Sequence, residues 1–392
     1  MLKTYKYRLY PTESQVILIN KHIGACRFVY NLALEVKNYA YTNQRKNVTC
    51  FDLMKQITDL KKECEWLKEI AVASLQQSVI DLDKAYVAFF KGQNKFPNYK
   101  KKSGSKQSYR IPNPIGIKIK GDRIQIPKFI EGIKYIQDRP IKGEIRSATV
   151  SCTPTNKYYI SILVETSEKV PEKKSIDKET TVGIDLGIKT YIATSEGIGY
   201  NNPKWLKNSI QRLKVLQKRA SRKKKGSNNR KKANRKIAIL HEKIANQRKD
   251  WLQKVSTELI KNHDSICCED LNIRGMMKNH KLASAIQDAG WGVFIEMLKY
   301  KSEWYGKNLL QIPTFEASTK VCSECGTVKH GLTLSDREWI CNNCGEHHDR
   351  DINAAKVIKQ YCITKYSRQV LPGESVEMST IVESMKQKNI NK

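Results

Sequence analysis

The alternation of polar and apolar residues predicts a short strand at the start of the chain. From Lys3 to Tyr10, aromatic or apolar residues alternate with polar ones, as in a strand with one buried face. Thr12 follows, with Gln15 three residues later, a pattern typical of a capping box at the start of a helix. Helical spacing then continues to about Ala40, and 51–63 and 73–90 predict two more helices.

Two pairs of alternating segments predict hairpins after a basic, serine-rich loop at 96–110. Residues 115–119 and 123–127 surround Gly121, and 145–153 and 158–165 flank a turn at 154–156. With the N-terminal strand, these hairpins predict a wedge-like β-barrel over 1–10 and 95–170. The helical unit, 11–94, is inserted into it, and the charged segment 171–180 predicts a linker.

The second half of the chain alternates between short apolar strands and helices. Strands are predicted at 182–185, 190–194, within 263–271 and at 309–313. Between them, 204–249 predicts two helices that meet at Gly226, and 286–307 predicts one helix. A last helix is predicted from Asp351 to about Tyr361. The tail, 362–392, is expected to be disordered because it mixes charge with few large apolar residues.

Charge adds a class of partner to this picture. The 392 residues carry a formal net charge of +32, and the usual counterpart of so large an excess is a phosphate backbone. From Lys204 to Lys249 the chain has 18 Lys and Arg, with Glu242 inside and Asp250 next to the stretch. A solvated surface is the alternative. The one-sided charge favours nucleic-acid contact, with four candidates in the turn: Lys223, Lys224, Lys225 and Arg230.

Membrane attachment and secretion are not expected. No apolar run is long enough to span a bilayer, and the N-terminus lacks the apolar core of a signal peptide. The 11 cysteines, an odd number without a secretion signal, indicate a reducing cytoplasm, with some thiols on metal.

Two matched CxxCG motifs predict a structural zinc site. Cys322 and Cys325 form the first pair, and Cys341 and Cys344 form the second. Each pair presents two thiolates from a tight turn, and the spacing is typical of zinc ribbons with one tetrahedral Zn²⁺. His347 and His348 lie close by, but four protein ligands complete the site, so both histidines are interpreted as surface residues.

The order of three acids predicts an RNase-H-like nuclease that uses two metal ions. Asp185 lies within an apolar strand, Glu269 ends a later strand, and Asp351 begins the last helix. Two divalent ions held by such carboxylates would neutralise charge at the attacking and leaving oxygens of a phosphodiester. Asp270 competes with Glu269 for the second position, and Asp349 with Asp351 for the third.

Taken together, the motifs resemble TnpB, also called OrfB, an insertion-sequence family related to the type V CRISPR effectors. They are GIDLG at 183–187, EDLN at 269–272, the paired CxxCG motifs and DRDINAA at 349–355. Residues 5–11, Phe96 with its basic loop, 286–304 and SMKQ at 384–387 also fit the family pattern. The resemblance covers nearly the whole chain.

The resemblance implies an RNA-guided DNA endonuclease. A guide RNA from the transposon end would pair with double-stranded target DNA beside a short transposon-adjacent motif. Asp185, Glu269 and Asp351 match the family's catalytic triad and would hold two Mg²⁺ or Mn²⁺. Gln76 and Gln77 are candidates for base contacts, since an amide can bond adenine through two hydrogen bonds.

The implied fold is a multidomain α+β protein that acts as a monomer with one guide RNA. A wedge barrel with the inserted helical recognition domain precedes a RuvC domain, 181–317 and 349–361, which is interrupted by the zinc ribbon, 318–348. Two alternatives remain. One is a transposase-like recombinase that uses the same acids, and the other is a nucleic-acid-binding transposition regulator without catalysis.

Overall fold

The computed structural model describes residues 1–102, 107–313, 319–333 and 336–366. The chain divides into two compact units, Met1–Lys169 and Val170–Lys392. Most of the predicted tail, from 367 onward, including SMKQ at 384–387, lies outside the described residues, as do 103–106 of the basic loop and the first residue of the predicted ribbon.

The first unit is built on a seven-stranded antiparallel sheet in the order β2-β6-β7-β1-β5-β4-β3. Its strands are β1 (Leu2–Tyr10), β2 (Gln107–Ile111), β3 (Lys118–Lys120), β4 (Arg123–Ile126), β5 (Phe129–Ile136), β6 (Glu144–Cys152) and β7 (Tyr158–Glu165). The N-terminal strand lies in the middle, paired with β7 on one side and β5 on the other. The predicted second hairpin is therefore confirmed as β6 and β7, and the first as the shorter β3 and β4.

The prediction of a closed barrel is wrong. Within the described residues, the edge strands β2 and β3 are not hydrogen-bonded to each other, so the sheet is open. The six residues that join them contain Pro112 and Pro114, which lack the N–H groups of ladder residues, and a 3₁₀ turn at Pro114–Gly116. Because so short a segment spans at most roughly 20 Å, the sheet must curl strongly even though its edges remain unpaired.

Helices α1 (Glu13–Gln44), α2 (Cys50–Glu63) and α3 (Val72–Phe90) lie between β1 and β2 in the sequence. The capping box at Thr12 and Gln15 is confirmed, with both reciprocal hydrogen bonds present. Buried residues of these helices share one hydrophobic core with the sheet, for example Leu34 and Leu75 with Val150. Burial of this apolar face, more than helix propensity, holds the helices in place.

The second unit contains a mixed five-stranded sheet in the order β10-β9-β8-β11-β12. Its strands are β8 (Thr181–Leu186), β9 (Thr190–Thr194), β10 (Gly199–Asn201), β11 (Ser265–Glu269) and β12 (Asn308–Ile312). The first three form an antiparallel meander, whereas β8, β11 and β12 run parallel. A small hairpin, β13 (Glu338–Ile340) and β14 (His347–Asp349), completes the strands.

Within the part of the second unit that the structure describes, six helices accompany this sheet: α4 (Trp205–Ser221), α5 (Asn228–Asn262), α6 (Ile273–Met276), α7 (His280–Ala289), α8 (Trp291–Tyr305) and α9 (Arg350–Tyr366). Both faces of β11 are covered. Ile266 and Cys268 belong to the core that contains α5 and α8, whereas Cys267 packs with Ile358 and Cys362 of α9 on the other face. Alternation of side chains along the strand produces this division.

Several boundaries differ from the sequence-based expectation. The single helix expected at 286–307 is divided by Gly290, whose φ of +71° suits glycine and ends α7. The last helix continues to Tyr366, beyond the expected end near Tyr361. The two basic helices and their turn at Gly226 are confirmed as α4 and α5. Among the described residues, no helix is both long and apolar enough to cross a bilayer.

Candidate metal centres

Asp185 and Glu269 lie side by side at the carboxyl ends of two neighbouring parallel strands, β8 and β11. Cys268 of β11 is paired with Ile184 of β8, so the acid that follows each of them lies at the same edge of the sheet. Both side chains are partly buried. Parallel pairing in this register is what brings together two carboxylates that are separated by more than 80 residues in the sequence.

Asp351 approaches the same edge from the first turn of α9. Gly183, two residues before Asp185, permits this because a Cβ at its position would lie 2.0 Å from the carbonyl oxygen of Ala355. The helix backbone therefore packs directly on β8, and only glycine fits there.

The pKa of Asp185 shows that the three carboxylates share one electrostatic site. Burial is the largest cause that raises this pKa, followed by repulsion from Glu269 and Asp351, and together they bring it to about 7. The Arg350 guanidinium opposes the shift. A buried carboxyl group beside other acids, with a pKa near 7, is typical of sites that bind cations or transfer protons.

The two competing acids occupy different environments. Asp349 caps α9, because its Oδ1 accepts hydrogen bonds from the backbone N–H groups of Asp351 and Ile352, each at 2.9 Å. Asp270 is exposed, whereas Glu269 is partly buried. The geometry thus places Glu269 and Asp351 with Asp185 and leaves Asp349 as a helix cap.

Two arginines that the sequence analysis missed contact Asp351. Arg337 Nη1 lies 3.2 Å and 3.3 Å from its two carboxylate oxygens, and Arg350 Nε lies 3.4 Å from Oδ1. Arg337 directly precedes β13, so the ribbon segment places a guanidinium group beside Asp351. No local sequence signal identifies the contact between Arg337 and Asp351, because this contact depends on how the ribbon folds.

The donor set of the acid site suits hard divalent cations. Three carboxylates offer oxygen ligands of the kind that Mg²⁺ and Mn²⁺ prefer, and a cation would remove the repulsion that raises the Asp185 pKa. Within the described ranges, only the four ribbon thiols form a group of three or more potential ligands whose atoms all lie within 4.8 Å. The carboxylates are thus spread more widely than a compact single-ion cluster.

The four cysteines of the CxxCG motifs converge on one point. Their sulfur atoms all lie within 4.8 Å of one another. Each pair is shaped by the same turn: Gly326 N–H donates to Cys322 O at 2.9 Å, and Gly345 N–H donates to Cys341 O at 3.0 Å. Both glycines have a φ of +74°. Four thiols in this arrangement fit a tetrahedral, structural Zn²⁺.

The interpretation of both histidines as surface residues is wrong for His348. Side chains alternate along β14, so His347 faces solvent while His348 is buried against the ribbon core. The His348 ring packs on Trp339 with a centroid separation of 4.6 Å, and its Nε2 lies 3.0 Å from Cys322 Sγ. His348 therefore contacts a predicted zinc ligand directly.

Three of the four basic candidates lie in the turn between α4 and α5, and Arg230 lies in the first turn of α5. Lys223, Lys224 and Lys225 are exposed. Arg230 is partly buried, and its Nη1 donates to Lys223 O at 3.0 Å, so it supports the turn that displays the lysines.

The two glutamines belong to the other compact unit and differ from each other. Gln76 is partly exposed, whereas Gln77 is buried and donates to Asp81 Oδ1 at 2.8 Å. Gln77 lines a polar cleft of about 200 Å³, together with Arg27, Lys100 and Arg110.

Comparisons with known proteins agree on a family. A model for OrfB of IS605, described as a probable transposase, matches residues 160–280, and a Cas12f1-like TNB domain matches 291–358. A third model, described as a helix-turn-helix domain, matches 1–46, although the structure has one strand and one long helix there.

Curated relatives match across nearly their whole length. A Streptomyces pristinaespiralis protein named as an RNA-guided DNA endonuclease is 37% identical, over 91% of this chain and 88% of its own. InsQ of Escherichia coli K12, with the same designation, is 32% identical over 91% of each chain. A TnpB-like protein of Acanthamoeba polyphaga mimivirus is 24% identical over 94% of this chain and 75% of its own.

Among solved structures, Cas12f1 in a complex with sgRNA and target DNA has a similar fold. The TM-score is 0.56 at 15% identity, over 89% of this chain and 83% of that one. The extent of the sequence matches, more than this structural likeness, decides the relationship. The chain belongs to the OrfB family of insertion-sequence proteins, also called TnpB.

Proposed function

We propose that this protein is an RNA-guided DNA endonuclease of an insertion sequence, and that Asp185, Glu269 and Asp351 are its catalytic residues. The observation that carries the proposal is the convergence of three acids from β8, β11 and α9, where burial, followed by repulsion from Glu269 and Asp351, raises the pKa of Asp185 to about 7. The designations of the two relatives above 30% identity support the same activity.

The acids would hold two Mg²⁺ or Mn²⁺ ions in a RuvC-type site. Such ions neutralise charge at the attacking and leaving oxygens of the phosphodiester. Arg337 and Arg350, which pair with Asp351, would add positive charge near the scissile phosphate.

The ribbon would hold one structural Zn²⁺ through its four cysteines. All four coordination positions are filled by protein, so this ion would take no part in phosphodiester chemistry. Its effect would be to fix the hairpin that carries Arg337 and leads into the Asp351 helix.

Guide RNA and target DNA would contact both units. The exposed lysines between α4 and α5 would bind phosphates, and the helical part of the first unit would read the transposon-adjacent motif. The cleft lined by Gln77, Arg27 and Arg110 is the candidate for base contacts, and the partly exposed Gln76 beside Gln77 in the sequence is a second candidate. In this proposal one monomer binds one guide RNA in the prokaryotic cytoplasm.

We also propose that the chain has the predicted boundaries of the wedge, recognition, RuvC and zinc-ribbon domains. The open seven-stranded sheet would take the place of the expected wedge barrel, with the helices of 11–94 as the recognition element.

The test is cleavage by protein purified with its co-expressed transposon-end RNA. The substrate is a plasmid with a guide-matched target beside a randomised motif. We expect Mg²⁺-dependent double-strand cuts at targets next to one short motif, with sequencing showing a single co-purified RNA species. Protein that carries no specific RNA would contradict guide use, and cutting without a matched target would contradict guided cleavage.

A transposase-like recombinase is the second candidate, because the matching family model is described as a probable transposase. The same acids could catalyse strand transfer. Joined DNA ends in the plasmid assay, rather than free double-strand breaks, would favour this alternative.

A further inference from the structure

Asn353, two residues after Asp351 in α9, joins the helix to the first cysteine pair. Its side chain is 1% exposed. Oδ1 accepts a hydrogen bond from Ser323 N–H at 2.9 Å, and Nδ2 donates to Val321 O at 2.7 Å. These backbone groups lie on either side of Cys322, so a single amide side chain fixes the backbone around one predicted zinc ligand.

Further along the same face, α9 makes two more contacts with this segment. Gln360 Nε2 donates to Ser323 O at 2.7 Å, and Lys356 Nζ lies 3.4 Å from a carboxylate oxygen of Glu324. Spacings of three and four residues place these side chains on the side of the helix that carries Asn353.

The other side of α9 packs on the sheet. Ala354, Ala355 and Ile358 are buried, and the backbone at Ala355 meets β8 at Gly183. The helix therefore lies between the strand that carries Asp185 and the turn that carries Cys322. Its position depends on both neighbours.

Cys322 is also contacted through its sulfur. His348 Nε2 lies 3.0 Å from Cys322 Sγ, and β14 leads directly into the cap at Asp349 and the first turn of α9. The segment 348–353 thus contacts Cys322 at both its side chain and its flanking backbone.

We propose that Asn353 is a positioning residue of the nuclease site, an inference that rests on the proposed function. Its two hydrogen bonds join the first turn of α9 to the backbone around Cys322. This contact would position the Asp351 carboxylate to coordinate a divalent ion. Zinc binding would order the ribbon, and the Asn353 amide would couple that order to the position of the Asp351 carboxylate. Side chains that orient ligands in this indirect way typically change metal affinity or activity by about 10- to 100-fold.

The test compares Asn353→Ala with Gln360→Ala, in protein carrying its co-purified RNA. Asn353→Ala loses two hydrogen bonds from α9 to the backbone around Cys322, and Gln360→Ala loses one to the same turn, two helical turns further from Asp351. Zinc per chain is measured by elemental analysis, catalytic-ion affinity by Mn²⁺ titration with EPR detection, and cleavage as a function of Mg²⁺.

We expect Asn353→Ala to keep its zinc and RNA, to bind Mn²⁺ about tenfold more weakly, and to need correspondingly more Mg²⁺ for half-maximal cleavage. Gln360→Ala should change these affinities less than about twofold. Equal effects of the two variants, or a loss of Mn²⁺ affinity that merely follows zinc loss, would show a general anchoring role and overturn the inference.

Asn353→Asp provides the second variant if alanine prevents folding. It can still accept from Ser323 N–H but cannot donate to Val321 O, so Mn²⁺ affinity should fall with zinc retained. Unchanged affinity overturns the inference. The proposed function requires that wild-type protein binds Mn²⁺ and that Asp185→Asn abolishes this binding. If this pattern is not observed, the proposed function and the inference both fail. Wild-type binding that Asn353 variants leave intact overturns the inference alone.

Discussion

At the scale of single residues, Asp185 would determine how the proposed nuclease site responds to pH. Its pKa of about 7, raised by burial and by the neighbouring acids, means that protons compete with divalent ions near neutrality. The neutral acid is a poor ligand, so ion affinity should fall as the pH drops below 7.

We therefore predict that cleavage at low Mg²⁺ declines below about pH 7, and that higher Mg²⁺ shifts the decline to lower pH. Rates measured from pH 5.5 to 8.5 at two Mg²⁺ concentrations test this. A pH profile that does not depend on ion concentration would contradict it, since proton and metal would then not share a ligand.

The same shift has a consequence for stability. The folded-state pKa of Asp185 lies above the ordinary aspartate value of 3.8, so the folded protein holds this proton more tightly than the unfolded chain. Without divalent ions, the contribution to stability is fully present below about pH 4 and is lost as the pH rises through 7.

Asp185→Asn should thus stabilise the ion-free protein at pH 7.5, on the order of 2–4 kcal/mol. Thermal unfolding in EDTA would show a higher midpoint for the variant, and Mg²⁺ would raise the midpoint of wild-type protein only. A lower midpoint for Asp185→Asn in EDTA would mean that the carboxylate is stabilised by partners rather than strained by its neighbours. Zinc content is monitored because EDTA also competes for the ribbon.

At the scale of elements, the close approach of α9 to β8 depends on Gly183. An added Cβ would lie 2.0 Å from Ala355 O, and backbone atoms cannot move aside cheaply. Gly183→Ala should destabilise the second unit by about 1–3 kcal/mol or more and reduce cleavage, because α9 carries Asp351. Gly199→Ala, where the new Cβ would find only Thr190 Cγ2 at 3.7 Å, is the matched control. Equal urea midpoints for both variants would contradict this packing.

A buried aspartate, Asp288, stabilises the helical hairpin that α4 and α5 form. Helix α4 lacks a side-chain cap of its own, and Asp288 of α7 instead accepts from Leu206 N–H at 3.0 Å and pairs with Arg248 at 2.6 Å. Asp288→Asn should cost about 1–3 kcal/mol, because it weakens both interactions at a buried site.

Urea unfolding measures this loss. Asp250→Asn removes an exposed i,i+4 ion pair with Lys254 and serves as the control, with an expected change below about 0.5 kcal/mol. Indistinguishable losses would show that Asp288 does not cap α4 in solution.

Local patterns predicted the elements that depend on local rules. The capping box at Thr12, the β6–β7 hairpin and the paired cysteine turns each require particular residues at fixed short spacings, and the structure has all of them. The strands β2 and β5 were missed because their pairing partners, not their own alternation, make them strands. The open edge of the first sheet was missed for a related reason, since closure depends on the whole sheet.

The candidate site divides in the same way. The order of the acids and their strand and helix ends could be derived from the sequence, and the structure places Asp185, Glu269 and Asp351 at one edge. Contacts between distant segments could not be derived, as Arg337 with Asp351 and Asn353 with the turn around Cys322 illustrate. Chain separation hides such pairs, and no periodicity marks them.

At the scale of the whole molecule, the net charge of +32 implies binding dominated by counterion release. Changing Lys223, Lys224 and Lys225 together to Gln should reduce the slope of log K against log salt by about 2–3 for double-stranded nucleic acid, with little change in stability. Lys254→Gln, which removes a lysine already paired with Asp250, should leave the slope nearly unchanged. An unaltered slope for the triple variant would place the polyanion elsewhere.

In the proposed function, three acids of an RNA-loaded monomer cut guided DNA. Single-turnover cleavage of a matched target tests this directly, with wild-type and Asp185→Asn protein each loaded with the same co-purified RNA. We predict Mg²⁺-dependent double-strand cleavage by wild-type protein, and at least about a 1,000-fold slower rate for the variant, with RNA and target binding unchanged. Cleavage by Asp185→Asn at the wild-type rate would show that Asp185 is not a catalytic residue.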